Sequence, residues 1–256
     1  MVRRISKPLF AAIGFLTIVP IPERWKGSGD ELARSIPFLP VVGAMLGFAA
    51  AGLDSLVLRH LPRGVAAVLL VTALVAITGG LHVDGLADTA DGFLSSRPRA
   101  RILEIMKDRN SGPMGVAAVV CVLSLKIASL SAIATPTLKA TAVLLMPLAG
   151  RSATVIAMTL LPYTRPEGGT GAVFAEHRSW AGLVVALAAP VGLGWWIGRG
   201  AGLALAGGAF AAAVAMSIWS WRKIGGWTGD TLGATCEVAE AVALVGWLGF
   251  ASGGLS

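Results

Sequence analysis

The sequence is poor in charge. Asp, Glu, Lys and Arg supply 14% of its 256 residues, against 55% hydrophobic residues. A soluble domain carries roughly 25% charged residues, so a water-exposed globule of this length could not cover its surface. Cysteine is nearly absent as well. Cys121 and Cys236 form no CxxC pair and no Cys/His cluster, which excludes a disulfide scaffold and a structural zinc site. Cys121 sits inside an apolar block, where a small buried hydrophobe is expected. Helical and strand periodicity are also missing from the apolar stretches, which run as continuous blocks, and mean hydropathy is +0.75. Disorder and collagen are excluded with them. The composition describes a multi-pass membrane protein, a single integral-membrane domain over 1–256.

A bilayer core takes roughly 20 apolar residues per helix. Blocks at about 36–58, 64–80, 113–134, 138–161, 179–198 and 200–221 meet or approach that length, and a seventh, about 232–250, begins with Glu237 and Glu240. The expected fold is an all-α polytopic helical bundle of about six to seven transmembrane helices. The run Leu9–Val19 is too short to span and ends at Pro20 and Pro22. Arg3, Arg4 and Lys7 precede it as in a signal peptide, but no small-residue cleavage site follows. It reads as a short interfacial or re-entrant helix.

The net charge of +7 would invite a nucleic-acid partner in a soluble protein. Its distribution argues against one. With the polar stretch 81–112 in the cytoplasm, alternation puts 21–35, 162–178 and 222–231 on the same side. Twelve loop cations then lie inside, against four outside: Arg59, Arg63, Arg199 and Lys139. That is a positive-inside bias. The excess positive charge therefore needs no nucleic-acid partner, and membrane lipid is the surrounding partner. The acids are one-sided too: every one of the fourteen except Asp54 falls in or beside the inner segments. Asp and Glu contribute little to orientation, so another cause is needed, namely a polar, metal-binding site on the cytoplasmic face.

The richest segment is Gly79-Gly80-Leu81-His82-Val83-Asp84-Gly85-Leu86-Ala87-Asp88-Thr89-Ala90-Asp91-Gly92. At about 100° per residue, Asp84, Asp88 and Asp91 fall within roughly 60° of one helix face. Carboxylates so spaced repel. A divalent cation removes the penalty, and hard Mg²⁺ or Mn²⁺ prefers carboxylate and phosphate oxygens. A helix start answering its own dipole would explain Asp84 alone. His82 lies off this face if the helix already runs there. Downstream, 97–106 reads as an amphipathic surface helix, and its end, Lys107-Asp108-Arg109-Asn110-Ser111-Gly112-Pro113, returns charges to the depth of the stripe. Two glycine-rich segments come back to the same face: 161–171, with Arg165, and 225–237, with Asp230 and Glu237. Glycine density lets backbone N–H groups approach phosphates. Acids at the mouth of a span need partners, and Lys126 and Arg151 are available for them.

These residues together resemble the cobalamin 5′-phosphate synthase family, also called adenosylcobinamide-GDP ribazoletransferases. The resemblance rests on Gly79–Gly92, Glu104-Ile105-Met106-Lys107-Asp108, Pro162-Tyr163…Arg165, Gly225-Gly226-x-Thr228-Gly229-Asp230-x-Leu232-Gly233-Ala234 and Phe15-Leu16-Thr17-x-x-Pro20-x-Pro22. It spans essentially the whole chain. It implies transfer of the cobinamide-phosphate moiety of adenosylcobinamide-GDP to α-ribazole or its 5′-phosphate, with release of GMP and a need for Mg²⁺. In that setting Asp84, Asp88 and Asp91 hold metal, and one of them or His82 takes the proton of the attacking hydroxyl. Lys107, Asp108, Arg109, Arg165, Asp230 and Glu237 are the expected substrate-binding residues. Oligomeric state is left open, a homo-oligomer included.

Two alternatives differ in their motifs. A CDP-alcohol phosphatidyltransferase also carries an Asp-Gly-x-x-Ala stripe, but with Ala-Arg where Ala87-Asp88 stands here and a longer gap before its last two Asp. An ion-coupled transporter would place its acids at the midplane and show an inverted repeat; here they crowd one face.

Overall fold

The computed structural model describes residues 2–108, 110–165, 168, 171–175 and 177–253. The chain is all-helical apart from loops: α1 (Val2–Leu16), α2 (Gly29–Ala33), α3 (Leu39–Leu56), α4 (Arg63–Ile77), α5 (Leu81–Phe93), α6 (Arg99–Ile105), α7 (Pro113–Ala132), α8 (Pro136–Leu160), α9 (Ala172–Ala175), α10 (Trp180–Leu193), α11 (Arg199–Ile224) and α12 (Gly229–Gly253). No strand occurs among the described residues, only an isolated bridge between Tyr163 and Trp227. Proline opens α3, α7 and α8 in the first turn, where its missing N–H costs nothing. Ser28 and Glu31 form a capping box at α2, and Ser179 caps α10 through the N–H of Gly182 at 3.0 Å.

Five helical runs are long and apolar enough to cross a membrane, or six if the bent pair α4–α5 counts as one. The run Trp180–Ile224 has 45 residues, and a straight helix of that length would reach about 68 Å, twice a bilayer core. It folds back instead. Arg199 breaks the helix with φ 50° and ψ −134°, and Gly194 lies against the backbone of Gly202. The run therefore supplies two antiparallel helices, α10 and α11, joined at the end away from the acidic stripe, as the alternation of loops predicts.

α8 is the centre of the bundle. Its window is 89% buried, against 22% for α7, which faces outward and leaves Cys121 exposed rather than buried as expected. α3 runs antiparallel to α8, with Gly43 beside Pro147 and Gly47 beside Leu144. Farther along, Asp54 meets Lys139 at 2.6 Å. Asp54, the one acid outside the segments expected on the cytoplasmic side, is thus a structural pair with a cation of the neighbouring helix. α11 and α12 are also antiparallel, with Gly208 by Val242 and Gly246 by Ala204. The α3, α7, α10 and α12 starts and the α4, α8 and α11 ends consequently share one end of the bundle.

α5 lies across that end. The apolar block expected at 64–80 stops at Ile77, and α4 has only 15 residues. Gly79 and Gly80 follow with φ of 61° and 73°, the left-handed region that glycine enters freely. The chain turns by 91° into α5. From there α5 touches the start of α12, then the start of α7, then the end of α11, where Phe93 packs edge-on to Trp219 at 5.1 Å. An element that visits three helices in succession near their ends runs across the bundle axis, not along it. α1, the expected interfacial helix, closes the same end: the N–H of Ile18 bonds the carbonyl of Ile77 at 2.9 Å, and Phe15 meets Phe174.

Candidate active site

The site is assembled where α5 crosses α12. Gly85 lies on the backbone of Asp230, where an added Cβ would stand 2.7 Å from the carbonyl oxygen. On the other side of the crossing Gly233 packs on the backbone of His82. The small residues interleaved with the acids, expected from the sequence to leave room for a ligand, serve helix contact at Gly85 and Gly92. The start of α12 is fixed by Thr228, whose N–H donates to the Thr231 hydroxyl at 2.9 Å. The loop before it is clipped to the loop after α8. Thr164 N–H donates to the Trp227 carbonyl at 3.1 Å, and Trp227 N–H donates to that of Pro162 at 2.9 Å. The ring of Tyr163 stacks against Trp227 at 4.8 Å. This clip brings Arg165 to Asp230, Nη2 to Oδ2 at 2.6 Å, across 65 positions of sequence.

The three stripe acids are on one side of α5, as their spacing predicts, but they have different surroundings. The carboxylates of Asp84 and Asp88 take no hydrogen bond or ion pair among the described residues. Asp91 is engaged: Gly112 N–H reaches its Oδ2 at 2.6 Å and Gly115 N–H its Oδ1 at 2.8 Å. It caps the N-terminus of α7 from another helix, satisfying two of the donors a helix start leaves free. Asp88 is pushed up to about 7, first by burial and then by the negative charges of Asp84 and Asp230, against the opposing pull of Arg165. Asp230 thus belongs electrostatically to the stripe.

His82 occupies the first turn of α5. It is buried, its Nδ1 has no hydrogen-bond partner, and burial together with the Arg151 and Lys126 charges keeps the imidazole neutral. With Asp84, Asp230, Phe15, Met158 and Phe174 it borders a cavity of about 210 Å³. Asp84 also borders a second cavity of about 780 Å³, walled by Ile18, Val75, Val116, Val119 and Val120 between α1, α4 and α7.

Glu237 is placed elsewhere. Two turns along α12 from Asp230, its carboxylate accepts from Lys126 Nζ at 2.6 Å. Lys126 also donates to Glu240 at 2.6 Å, and Arg151 binds the other oxygen of Glu240. All four are buried between α7, α8 and α12. Lys126 and Arg151 are indeed the partners of these span-mouth acids, and Glu237 locks the bundle beneath the site. Asp108 sits on an exposed turn, where its Oδ1 accepts the backbone N–H of Asn110 at 3.0 Å, and Lys107 is exposed beside it. Arg109, expected to contact phosphate, lies outside the described residues, as do Glu167 and Thr170 of the first glycine-rich segment.

Among the described residues no three His, Cys, Asp or Glu side chains converge on one point closely enough to hold a metal ion. The donor set nonetheless suits a hard cation: Asp84, Asp88 and Asp230 offer only carboxylate oxygen, and their mutual repulsion at Asp88 is the strain a divalent ion relieves. Sequence reasoning passed over three further residues. Arg99, His177 and Arg178 join Arg165 around a cavity of about 540 Å³; split between the start of α6 and the loop before α10, they carry no local motif that could have marked them.

The chain matches the family model for cobalamin-5-phosphate synthase over residues 8–248. Curated relatives agree along nearly its whole length. An adenosylcobinamide-GDP ribazoletransferase of Desulforamulus reducens is 41% identical over 230 residues, covering 90% of this chain and 91% of the relative. One from Roseiflexus sp. (strain RS-1) is 39% identical over 239 residues, 93% of this chain and 87% of the relative. One from Synechococcus elongatus is 35% identical over 263 residues, 99% of each. No solved structure matches the chain.

Proposed function

The chain belongs to the cobalamin-5-phosphate synthase family, and from that premise we propose that it is a Mg²⁺-dependent transferase working at the cytoplasmic face of the inner membrane. It moves the cobinamide-phosphate moiety of adenosylcobinamide-GDP onto α-ribazole or α-ribazole 5′-phosphate. A ribose hydroxyl of the acceptor attacks the phosphorus that carries cobinamide, the P–O bond to GMP breaks, and GMP leaves with the bond electrons. The hydroxyl proton passes to a basic group of the protein.

The observation that carries this reading is the placement of Asp84, His82 and Asp230 around one cavity, with Arg165 bound to Asp230 at its edge. Asp84, Asp88 and Asp230 would hold Mg²⁺, which supplies charge neutralisation for the pyrophosphate when bound. Arg165, held in place by Asp230 and by the Thr164–Trp227 clip, presents a guanidinium to the phosphates. The group that accepts the hydroxyl proton is one of the stripe carboxylates or His82, whose Nδ1 has no hydrogen-bond partner. The packed crossing of α5 on α12 keeps these groups from drifting apart, so orientation is built in before substrate arrives. The twelve-to-four distribution of loop cations supports the cytoplasmic side for this end.

The test is direct. Purified protein in lipid is given adenosylcobinamide-GDP and α-ribazole, and GMP is followed with Mg²⁺ and with chelator. GMP appearing only with both substrates and Mg²⁺ is the expected result. CMP release from CDP-diacylglycerol, with no turnover of adenosylcobinamide-GDP, would overturn the reading in favour of a lipid-linked transferase.

A further inference from the structure

We propose that the cavity ringed by Arg99, Arg165, His177 and Arg178 binds the nucleoside 5′-phosphate end of the donor, and so sets the direction in which the pyrophosphate lies across the acids. The proposal rests on the transferase reading above.

The charges of the three cavities decide the direction. The large one, about 780 Å³, is walled largely by valine and isoleucine, and among the described residues lining it Asp84 alone carries a formal charge. An anionic nucleotide meets no cation among them. The third cavity, about 540 Å³, falls within the roughly 300–1,000 Å³ usual for small-molecule sites. Its rim carries three guanidinium groups and an imidazole, and the half-buried ring of Tyr163 lies in its lining over the buried Trp227. Guanidinium forks match phosphate oxygens, and the open part of the Tyr163 ring offers a purine an apolar contact.

Tyr163 is held for that use. Its hydroxyl donates to the Gly168 carbonyl at 3.1 Å, and its ring rests on Trp227. Arg99 and Arg178 are exposed and make no ion pair among the described residues.

This cavity adjoins the reacting centre. Met158 and Phe174 border both it and the cavity of His82, Asp84 and Asp230. Arg165 lines the basic cavity while its guanidinium holds Asp230, which lines the other. A pyrophosphate with one phosphorus beside Asp84 and Asp230 therefore passes Arg165 and delivers its second phosphate and nucleoside among Arg99 and Arg178. The leaving GMP then departs toward solvent. The apolar cavity on the far side of Asp84 is left to the less charged partner.

The experiment uses the full-length protein in nanodiscs of phosphatidylcholine, with and without phosphatidylglycerol. Arg99→Ala, Arg178→Ala and Arg178→Lys are compared with wild type for donor KM, acceptor KM, product inhibition by GMP, and GMP binding by equilibrium dialysis. Each alanine variant should raise donor KM and the GMP inhibition constant together by about tenfold, the loss of one charge-assisted phosphate contact. Acceptor KM should stay unchanged, and Arg178→Lys should recover part of the loss. Unchanged GMP binding in both alanine variants would overturn the assignment. So would a defect seen only with phosphatidylglycerol present, because the cavity would then be taking a lipid headgroup phosphate. Wild-type GMP release reports separately on the transferase reading: if it is absent while GMP still binds in an Arg178-dependent way, the function fails and the cavity assignment stands.

Discussion

Replacing Asp91 by alanine removes the acceptor for two backbone donors at the start of α7, 2.6 and 2.8 Å away. Hydrogen bonds to a charged group are worth about 1.5–3 kcal/mol each, and a carboxylate at a helix N-terminus adds about 0.3–1 kcal/mol. Asp91 is half-buried, so water takes over part of the freed N–H groups, and a net loss of about 2–3 kcal/mol is expected. For a chain of this size each kcal/mol shifts the melting temperature by about 2–4 °C, which gives about 5–10 °C. Asp91→Asn keeps one acceptor and should lose about half as much. Asp84→Ala deletes a carboxylate with no hydrogen bond, so its melting temperature should stay within about 1 °C of wild type while GMP release collapses. Melting of purified variants in one detergent, read beside single-turnover GMP release, separates the two roles. If Asp91→Ala melts with wild type and loses turnover just as Asp84→Ala does, the capping argument is wrong and all three acids act as one ligand set.

Three other outcomes follow from the same geometry. Asp88, raised to about 7, is protonated below that pH and ionised above it; because a cation needs the carboxylate, the Mg²⁺ concentration for half-maximal rate should rise by up to about tenfold per pH unit below 7 and level off above it. Equal Mg²⁺ requirements at pH 6 and pH 8 would refute this. Lys126→Met strands Glu237 and leaves Glu240 with Arg151 alone, and should destabilise by about 3–5 kcal/mol, with the melting temperature partly restored by adding Glu237→Gln; a single mutant as stable as wild type would contradict the buried pairing. Gly85→Val places side-chain atoms against the Asp230 backbone and should lower both the melting temperature and GMP release, since the α5–α12 crossing must open; full activity in that variant would mean the crossing does not hold the site.

Much of this architecture is local and can be read along the chain. Hydropathy over twenty residues reports a span whatever its neighbours, so the blocks at 36–58, 113–134 and 138–161 correspond to α3, α7 and α8. Helical spacing puts Asp84, Asp88 and Asp91 on one face for the same reason: 3.6 residues per turn is a property of the backbone. The doubled glycine before Leu81 marks the break, though not the 91° turn that lays α5 across the helix ends.

Which partner each charge meets is not local. Lys126 lies 111 positions from Glu237, and Arg165 lies 65 from Asp230. Those distances are closed by the packing register of α7, α8 and α12 and by the clip between Tyr163 and Trp227. Only the folded chain therefore distinguishes Asp91, bound to the α7 backbone, from Asp84, free beside two cavities. It also turns Glu237, on the same face of α12 as Asp230, into a buried lock beneath the site. Arg99, His177 and Arg178 meet around one cavity because three helix ends meet there; a one-dimensional pattern carries the side chains but not the ends they hang from.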